Sequence, residues 1–350
     1  MELRTEPFYD NQTTERFAAR VAALQQAASY PGDVREVEAI ETHMAWVFLT
    51  ESHAYKLKKP IRTPHLDYTS LEARRRACQT ELELNKRLAA SVYLAVVALV
   101  ENDEGMRVEA DGRAVDWLVK MRRLPRELML DHCIEAGDVT PGTIDRLVAR
   151  LARFYATAEP APLEPSTYRR HIAETIESKA ASLEQPRYGL RSTEVRPAVG
   201  ALQHWMADHG DLLEERAGCV VDAHGDLRPE HICLEREPVV IDCLEFDRSL
   251  RLLDPVSELC FLGLECRRLG APLIAGRLHT EYALRTGDWT SDRLASFYAS
   301  YHAVIRAAVA VWHLDDDAVD DADKWRRRAS WYLNIPRQLL YVPSRRSFGI

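Results

Sequence analysis

The chain has 350 residues, 46% of them hydrophobic, enough to bury one or two ordinary cores and too apolar for a disordered linker. Lys and Arg number 46 against 54 Asp and Glu, a formal charge of −8, so the cationic excess that generic phosphate-backbone binding demands is missing and nucleic acid is not an expected partner. Seven cysteines, an odd number with no CxxC pair, point to neither a disulfide framework nor a structural zinc site, and read as free thiols of a reducing cytoplasm.

The N-terminus, MELRTEPFYDNQTTERF, has no apolar signal core. Residues 10–28 then place Phe17, Val21 and Leu24 at helical spacing, and Tyr30-Pro31-Gly32 closes that helix. Two β-rich runs, Met44–Leu49 and Ala54–Lys58, flank the polar stretch Thr50-Glu51-Ser52-His53 and read as a hairpin. Ser70 to Ala90 is nearly free of helix breakers and carries an apolar stripe through Leu71, Cys78, Leu82, Leu84 and Leu88. Strands are expected at Tyr93–Val100, Met106–Glu109 and Ala114–Met121.

After Pro125 the pattern turns helical, over 127–135, 141–157, 166–183, 194–215, 255–269, 271–285, 291–313 and 318–333. The three prolines of Ala158–Pro165 mark a loop inside this half. The best apolar run, Ala303 to Trp312, is interrupted by Arg306 and too short to span a bilayer, so a soluble cytoplasmic protein with no membrane partner is expected. One β-like interlude stands among the helices, at 219–226, 232–234 and 238–242. It contains two aspartates sixteen positions apart, Asp226 in HGDLRPEH and Asp242 in VVIDCLEFD. Phosphoryl transfer needs one carboxylate to orient an attacking hydroxyl and accept its proton, and another to hold the divalent metal on the nucleotide phosphates; this pair can supply both.

These motifs resemble the aminoglycoside phosphotransferase and choline kinase group of small-molecule kinases. The resemblance implies an α+β, protein-kinase-like fold of two lobes, a β-rich N-lobe over 1–122 and a mainly helical C-lobe over 123–350, with a catalytic loop at 222–234 and a metal-binding strand at 238–247. It makes Asp226 the catalytic base and Asp242 a metal ligand, with ATP and Mg²⁺ as the expected cofactors. Position 231, where the group carries a metal-binding Asn, is His231. An imidazole suits softer transition metals than Mg²⁺, so His231 is open to three readings: a ligand of Mn²⁺, a hydrogen-bonding residue of the loop, or the mark of a weakened enzyme.

The first half adds to the resemblance. In a kinase-like small lobe a strand lysine grips the nucleotide phosphates and is braced by a helix glutamate. The strand is Ala54-Tyr55-Lys56-Leu57-Lys58-Lys59-Pro60, in which alternation sets Lys56 and Lys58 on one face. Lys58 aligns best with the group's lysine, and Lys56 is the alternative. Glu81 is the expected brace, with Glu83 behind it. Thr42 and His43, beside Met44–Leu49, take the place of the nucleotide-covering loop, although no glycine lies between Val34 and Glu104. The main chain around Lys120, Met121 and Arg122 would meet the adenine edge. Asp254 and Glu258 fall where the group has acids that stabilise the large lobe.

The set ETHMAWVFL, AYKLKKP, VKMRRLP, HGDLRPEHI and IDCLEFD resembles a less characterised bacterial branch of the same group, some of whose members are fused to a P-loop ATPase domain. No GxxxxGK[ST] occurs here, so the chain is expected to be the stand-alone kinase-like part. The implied activity is transfer of the γ-phosphoryl group of ATP to a hydroxyl of a small molecule, with aminosugars and aminoglycoside-like compounds among the acceptor classes. Two alternatives stay open: a nucleotide-binding pseudokinase, in view of His231 and the missing glycine loop, and a kinase acting on a protein side chain. The acidic run Asp315-Asp316-Asp317, Asp320-Asp321 and Asp323 could attract a polycation or could be a solvated turn that complements the start of the next helix. Tyr298, His302 and Arg306 share one helical face, suited either to lining an acceptor cleft or to core packing.

Overall fold

The computed structural model describes residues 11–63, 66–315 and 321–341. They divide into two compact units, one taking the described residues of 11–133 and 230–250, the other those of 134–229 and 251–341.

The first unit is built on an antiparallel sheet. Helix α1 (Asn11–Leu24) leads into the edge strand β1 (Glu38–Glu41), then β2 (Ala45–Leu49) and β3 (His53–Lys58). A short pair, β4 (Arg62–Thr63) with β5 (Leu66–Asp67), precedes helix α2 (Leu71–Ala89) and the strands β6 (Tyr93–Asn102), β7 (Gly105–Val108) and β8 (Arg113–Arg122). The six long strands run in the order β1-β2-β3-β8-β6-β7, which makes β8, although last in sequence, a central strand. One face buries Phe48, Tyr55, Leu57, Leu99 and Leu118 against Val21 and Leu24 of α1. The other takes Cys78 and Ala89 of α2 against Val119 and Met121. Leu57 and Leu118 are fully buried, so truncating either to Ala would cost about 2–5 kcal/mol.

Helix α2 starts where Ser70 accepts a hydrogen bond from Ala73 N at 3.1 Å, and carries Glu72 in its first turn and Lys86 and Arg87 in its last, each complementing the helix dipole. A buried ionic knot fixes helices to sheet. Asp116, in β8, takes two hydrogen bonds from Arg74 of α2 at 2.8 and 3.0 Å and a third from Arg20 of α1 at 2.8 Å.

Downstream come α3 (Leu130–Ala136), α4 (Pro141–Thr157), α5 (Pro165–Leu183) and α6 (Ser192–Glu214), then β9 (Val221–Asp222), β10 (Ile232–Cys233), β11 (Val239–Val240) and β12 (Leu252–Leu253). The chain closes with α7 (Pro255–Arg268), α8 (Leu273–Thr286), α9 (Asp292–Trp312) and α10 (Ala322–Leu340). The hairpin β10–β11 belongs to the sheet unit, where Cys233, Val239 and Ile241 join the core beneath α2, and Arg122 grips Glu235 with bonds of 2.8 and 2.9 Å. In the helical unit β9 pairs antiparallel with β12.

Helix α9 agrees with its expected extent to within one residue at each end, whereas α10 runs past its own. Helix α9 spans Asp292–Trp312 and is, by length and composition, long enough to cross a membrane, yet most of it is buried within the helical unit, where it packs on α5, α6, α7 and α10. It is built as a core helix, with Leu294, Phe297, Ala303, Val304, Ala307 and Val311 inside. Helix α10 continues through Pro336 to Leu340, because Ile335 and Pro336 are buried and their packing outweighs the lost backbone bond. Asp316, Asp317 and Asp320 of the acidic run, and 318–320 of the expected last helix, lie outside the described residues. Asp315 accepts from Tyr188 OH at 2.7 Å, and Asp321 caps α10 through Lys324 N at 2.8 Å.

Candidate functional site

In the sheet unit, strand alternation projects Lys56 and Lys58 from the same face of β3 toward one carboxylate of α2. Glu81, fully buried, accepts from Lys56 Nζ at 2.9 Å on one oxygen and from Lys58 Nζ at 2.6 Å on the other. Each lysine then has a second acid. Lys56 donates to Asp242 Oδ1 and Lys58 to Glu245 Oε1, both at 2.5 Å, and Glu245 also accepts from Tyr68 OH at 2.7 Å. Burial works against the charge on both lysines. For Lys56 it is overridden by Asp242 and Glu81, and for Lys58 by Glu245 and Glu81, so both pKa values lie well above the usual lysine range. Burial would likewise push the Glu245 carboxyl up, but Lys58 and Lys56 hold it below the ordinary value.

The two lysines are not equivalent. The Lys58 side chain is 2% exposed and closed in by Glu81, Glu245 and the Tyr68 ring, whose centroid lies 5.3 Å from Nζ. Lys56 is 15% exposed and points at Asp242, whose side chain is 41% exposed. Of the pair, Lys56 is the one a ligand can reach.

Asp242 sits in the left-handed region, φ +64°, an uncommon conformation for a residue with a side chain though one that Asp tolerates better than most. Two buried side chains hold it there. Its own N–H donates to Tyr93 OH at 3.1 Å, and the next N–H, of Cys243, donates to Asn85 Oδ1 at 2.9 Å. The hairpin β10–β11 brings His231 alongside, with Ile241 N donating to His231 O at 2.9 Å and His231 Nε2 3.4 Å from Asp242 Oδ2.

That donor set fits a divalent cation only in part. Among the described residues no three His, Cys, Asp or Glu side chains gather into a metal-binding group. Asp242 and His231 offer one carboxylate and one imidazole nitrogen, and a cation that takes its remaining ligands from phosphate and water needs no more. Oxygen from Asp242 suits Mg²⁺, while nitrogen from His231 suits Mn²⁺ better.

The remaining residues of the sheet unit that the sequence singles out are placed differently. Thr42 closes the β1–β2 turn, its Oγ1 donating to Ala45 O at 2.8 Å and accepting from Ala45 N at 3.0 Å, while His43 is exposed in that turn. Lys120 and Met121 lie in β8 between β3 and β6, with Tyr55 and Ala54 on one side and Ala95 and Tyr93 on the other, so their main-chain groups are engaged in the sheet. Arg122 N donates to Val92 O at 2.9 Å. Pairing of β8 ends there, and Arg123–Pro125 follows as the segment outside the ladder. Lys120 itself pairs with Glu109 at 2.6 Å.

In the helical unit Asp226 follows Gly225, whose φ of +89° is the turn geometry glycine allows. Glu258 of α7 shapes this turn by accepting from His224 N at 3.1 Å and Gly225 N at 2.6 Å, and Tyr155 OH donates to it at 2.7 Å. Asp254 caps α7 through Val256 N at 3.0 Å and accepts two bonds of 2.7 Å from Arg216. Arg228 Nε reaches the Asp226 carboxylate at 3.0 Å. Tyr298 and His302 are core residues. The first donates to Asp254 at 2.9 Å, and the second stacks on Phe261 and meets Ser257 Oγ at 2.9 Å.

No family model matches the chain. Among solved structures, a choline/ethanolamine kinase family protein from Mesorhizobium loti superposes with a TM-score of 0.52 at 16% identity, covering 95% of this chain and 96% of its own. The chain has the protein-kinase-like fold of that protein. A glucosamine kinase in complex with glucosamine, ADP and inorganic phosphate gives a TM-score of 0.50 at 13% identity over 87% of this chain and 81% of that one. The resemblance to the aminoglycoside phosphotransferase and choline kinase group therefore holds at the level of fold. In sequence, uncharacterized proteins of Mycobacterium tuberculosis (strain ATCC 25618 / H37Rv) and Mycobacterium bovis are 32% identical over 287 residues, which is 78% of this chain and 54% of theirs. The chain thus spans about half the length of the curated relatives it matches.

Proposed function

We propose that the chain is an ATP-dependent phosphotransferase that moves the γ-phosphoryl group to a hydroxyl of a small molecule. The observation that carries this reading is the relay Glu81–Lys56–Asp242, in which a helix glutamate braces a strand lysine that reaches an exposed aspartate. The shared fold with a glucosamine kinase whose complex holds glucosamine, ADP and inorganic phosphate supports it.

In this reading Lys56, the more accessible of the pair, binds the nucleotide phosphates and Glu81 keeps its ammonium aimed. Lys58 and Glu245 hold β3 and the segment after Asp242 in position. Asp242, joined by His231, is where a divalent cation would be held; when bound it would neutralise charge on the phosphates. Asp226 orients the acceptor hydroxyl and takes its proton. The acceptor oxygen forms the new bond to phosphorus as the bond to the β,γ-bridging oxygen breaks, and ADP leaves with that electron pair. Chemistry of this kind asks the protein mainly for alignment and charge.

Transfer of labelled phosphate from ATP into small-molecule acceptors, with Mg²⁺ and Mn²⁺ compared, tests the reading. Asp226→Ala should abolish transfer while leaving nucleotide affinity within about a few fold, since the base acts on the acceptor. Nucleotide binding without transfer to any acceptor would instead identify a pseudokinase, and label in protein would identify a protein kinase.

A further inference from the structure

Helix α2 carries two buried polar side chains one turn apart on the same face, Glu81 and Asn85, 0% and 1% exposed. Glu81 meets both lysines of β3. Asn85 faces elsewhere, and its amide can take only one orientation. Nδ2 donates to the carbonyl of Glu81 at 2.9 Å, which leaves Oδ1 to accept from Cys243 N, also at 2.9 Å; a flipped amide would set like groups together at both ends. Asparagine is a weak helix former and its amide is costly to bury, so packing alone does not account for it at this position.

Three successive N–H groups after β11 are taken by three different parts of the sheet unit: Ile241 N by His231 O, Asp242 N by Tyr93 OH and Cys243 N by Asn85 Oδ1. The last two belong to the peptide units on either side of the Asp242 Cα, so fixing both fixes its left-handed φ of +64°. A residue with a Cβ keeps that conformation only where its surroundings over-determine it. The contacts also close on a single helix turn. Glu81 holds Lys56, Lys56 meets Asp242, the N–H of the next residue meets Asn85, and Asn85 returns to the Glu81 carbonyl.

We propose that Asn85 is a positioning residue for the divalent cation: by fixing the peptide unit after Asp242 it aims that carboxylate, and it ties the metal ligand to the helix turn that braces Lys56. For the use made of the cation the proposal rests on the phosphotransferase reading. Removing the Asn85 oxygen takes this acceptor from the Cys243 N–H, and Asp242 relaxes toward negative φ, which swings its carboxylate away from Lys56. Groups that orient a metal ligand without touching the metal change its affinity by about 10–100-fold. Tyr93 acts in the same way on the peptide unit before Asp242, through its hydroxyl alone.

The test is Mn²⁺ binding to the full chain with ADP present, read from the paramagnetic resonance signal of the free ion, alongside ADP binding in EDTA and unfolding in urea. Asn85→Ala should weaken Mn²⁺ by about tenfold and leave ADP binding in EDTA within about twofold. Asn85→Asp keeps an oxygen for Cys243 N but turns another toward the Glu81 carbonyl, so it should unfold at lower urea than the wild type while recovering most of the Mn²⁺ affinity. Metal affinity that departs from stability in this way is what a merely structural asparagine does not produce. Tyr93→Phe keeps the buried ring and should also weaken Mn²⁺, and it carries the test if Asn85→Ala does not fold. Unchanged Mn²⁺ affinity in the folded variants, an affinity that falls only in step with stability, or a wild type that binds no Mn²⁺ would overturn the proposal. Mn²⁺ binding that depends on Asn85, without transfer of phosphate to any acceptor, would uphold the positioning role and overturn the phosphotransferase reading instead.

Discussion

Two charged clusters, one in each unit, are built differently. Around Lys56 and Lys58 every ammonium is clasped by two carboxylates, and the acids Glu81, Asp242 and Glu245 outnumber the lysines. In the helical unit Arg228 lies 3.0 Å from the Asp226 carboxylate, whose side chain is 22% exposed, and Arg306 lies 3.2 Å from the buried Glu265. A self-satisfied cluster fixes geometry in advance, whereas a partly exposed carboxylate is open to a substrate. In the proposed function the sheet unit positions the phosphate donor and Asp226 of the helical unit meets the acceptor.

The largest expected effect comes from Lys58. Replacing it by Met leaves Glu81 and Glu245 buried around a missing cation, so unfolding in urea should show a loss of about 3–5 kcal/mol. Lys56→Met tests the other half of the same cluster. Its partner Asp242 is substantially exposed, so the stability cost should be smaller, while turnover falls by about a hundredfold or more. The reverse pattern, with turnover lost in Lys58→Met and kept in Lys56→Met, would exchange the two roles.

In the helical unit His302 gives a pH signature. Burial, partly offset by its contact with Ser257, lowers its pKa to about 3. The unfolded chain takes up a proton near pH 6.5 and the folded chain does not until far lower pH, so stability is full above about 6.5 and declines as pH falls toward 3. Between pH 6.5 and 5 this single group should cost on the order of 2 kcal/mol, and His302→Gln should flatten that part of the unfolding profile. The smallest effect is expected at His231. His231→Asn keeps a polar ligand beside Asp242 and should preserve or raise Mg²⁺-dependent turnover while narrowing any advantage of Mn²⁺.

Much of this architecture is legible along the chain because it is local. Thr140-Pro141 starts α4 where a capping threonine and an N1 proline dictate, and alternation in β3 sets both lysines on one face. Edge strand β1 escapes notice because Glu38 and Glu41 flank only two apolar residues, a pattern that charge on an edge produces. The sequence names Lys56, Lys58, Glu81, Asp242 and His231, but not what holds them. Glu245, Tyr68, Tyr93 and Asn85 act across up to 187 positions, and no spacing rule reveals such partners. Glu265 escapes for the same reason: Arg268, Arg306 and Tyr332, which meet it, sit on three helices, and only packing brings them together.

The most direct test is label transfer from γ-labelled ATP to a small-molecule acceptor by the wild-type chain and by Asp226→Asn, which keeps the side chain's size and removes its basicity. The account predicts a labelled phosphomonoester with the wild type and none above background with the variant, both proteins binding nucleotide alike. Equal labelling by the two proteins would contradict it.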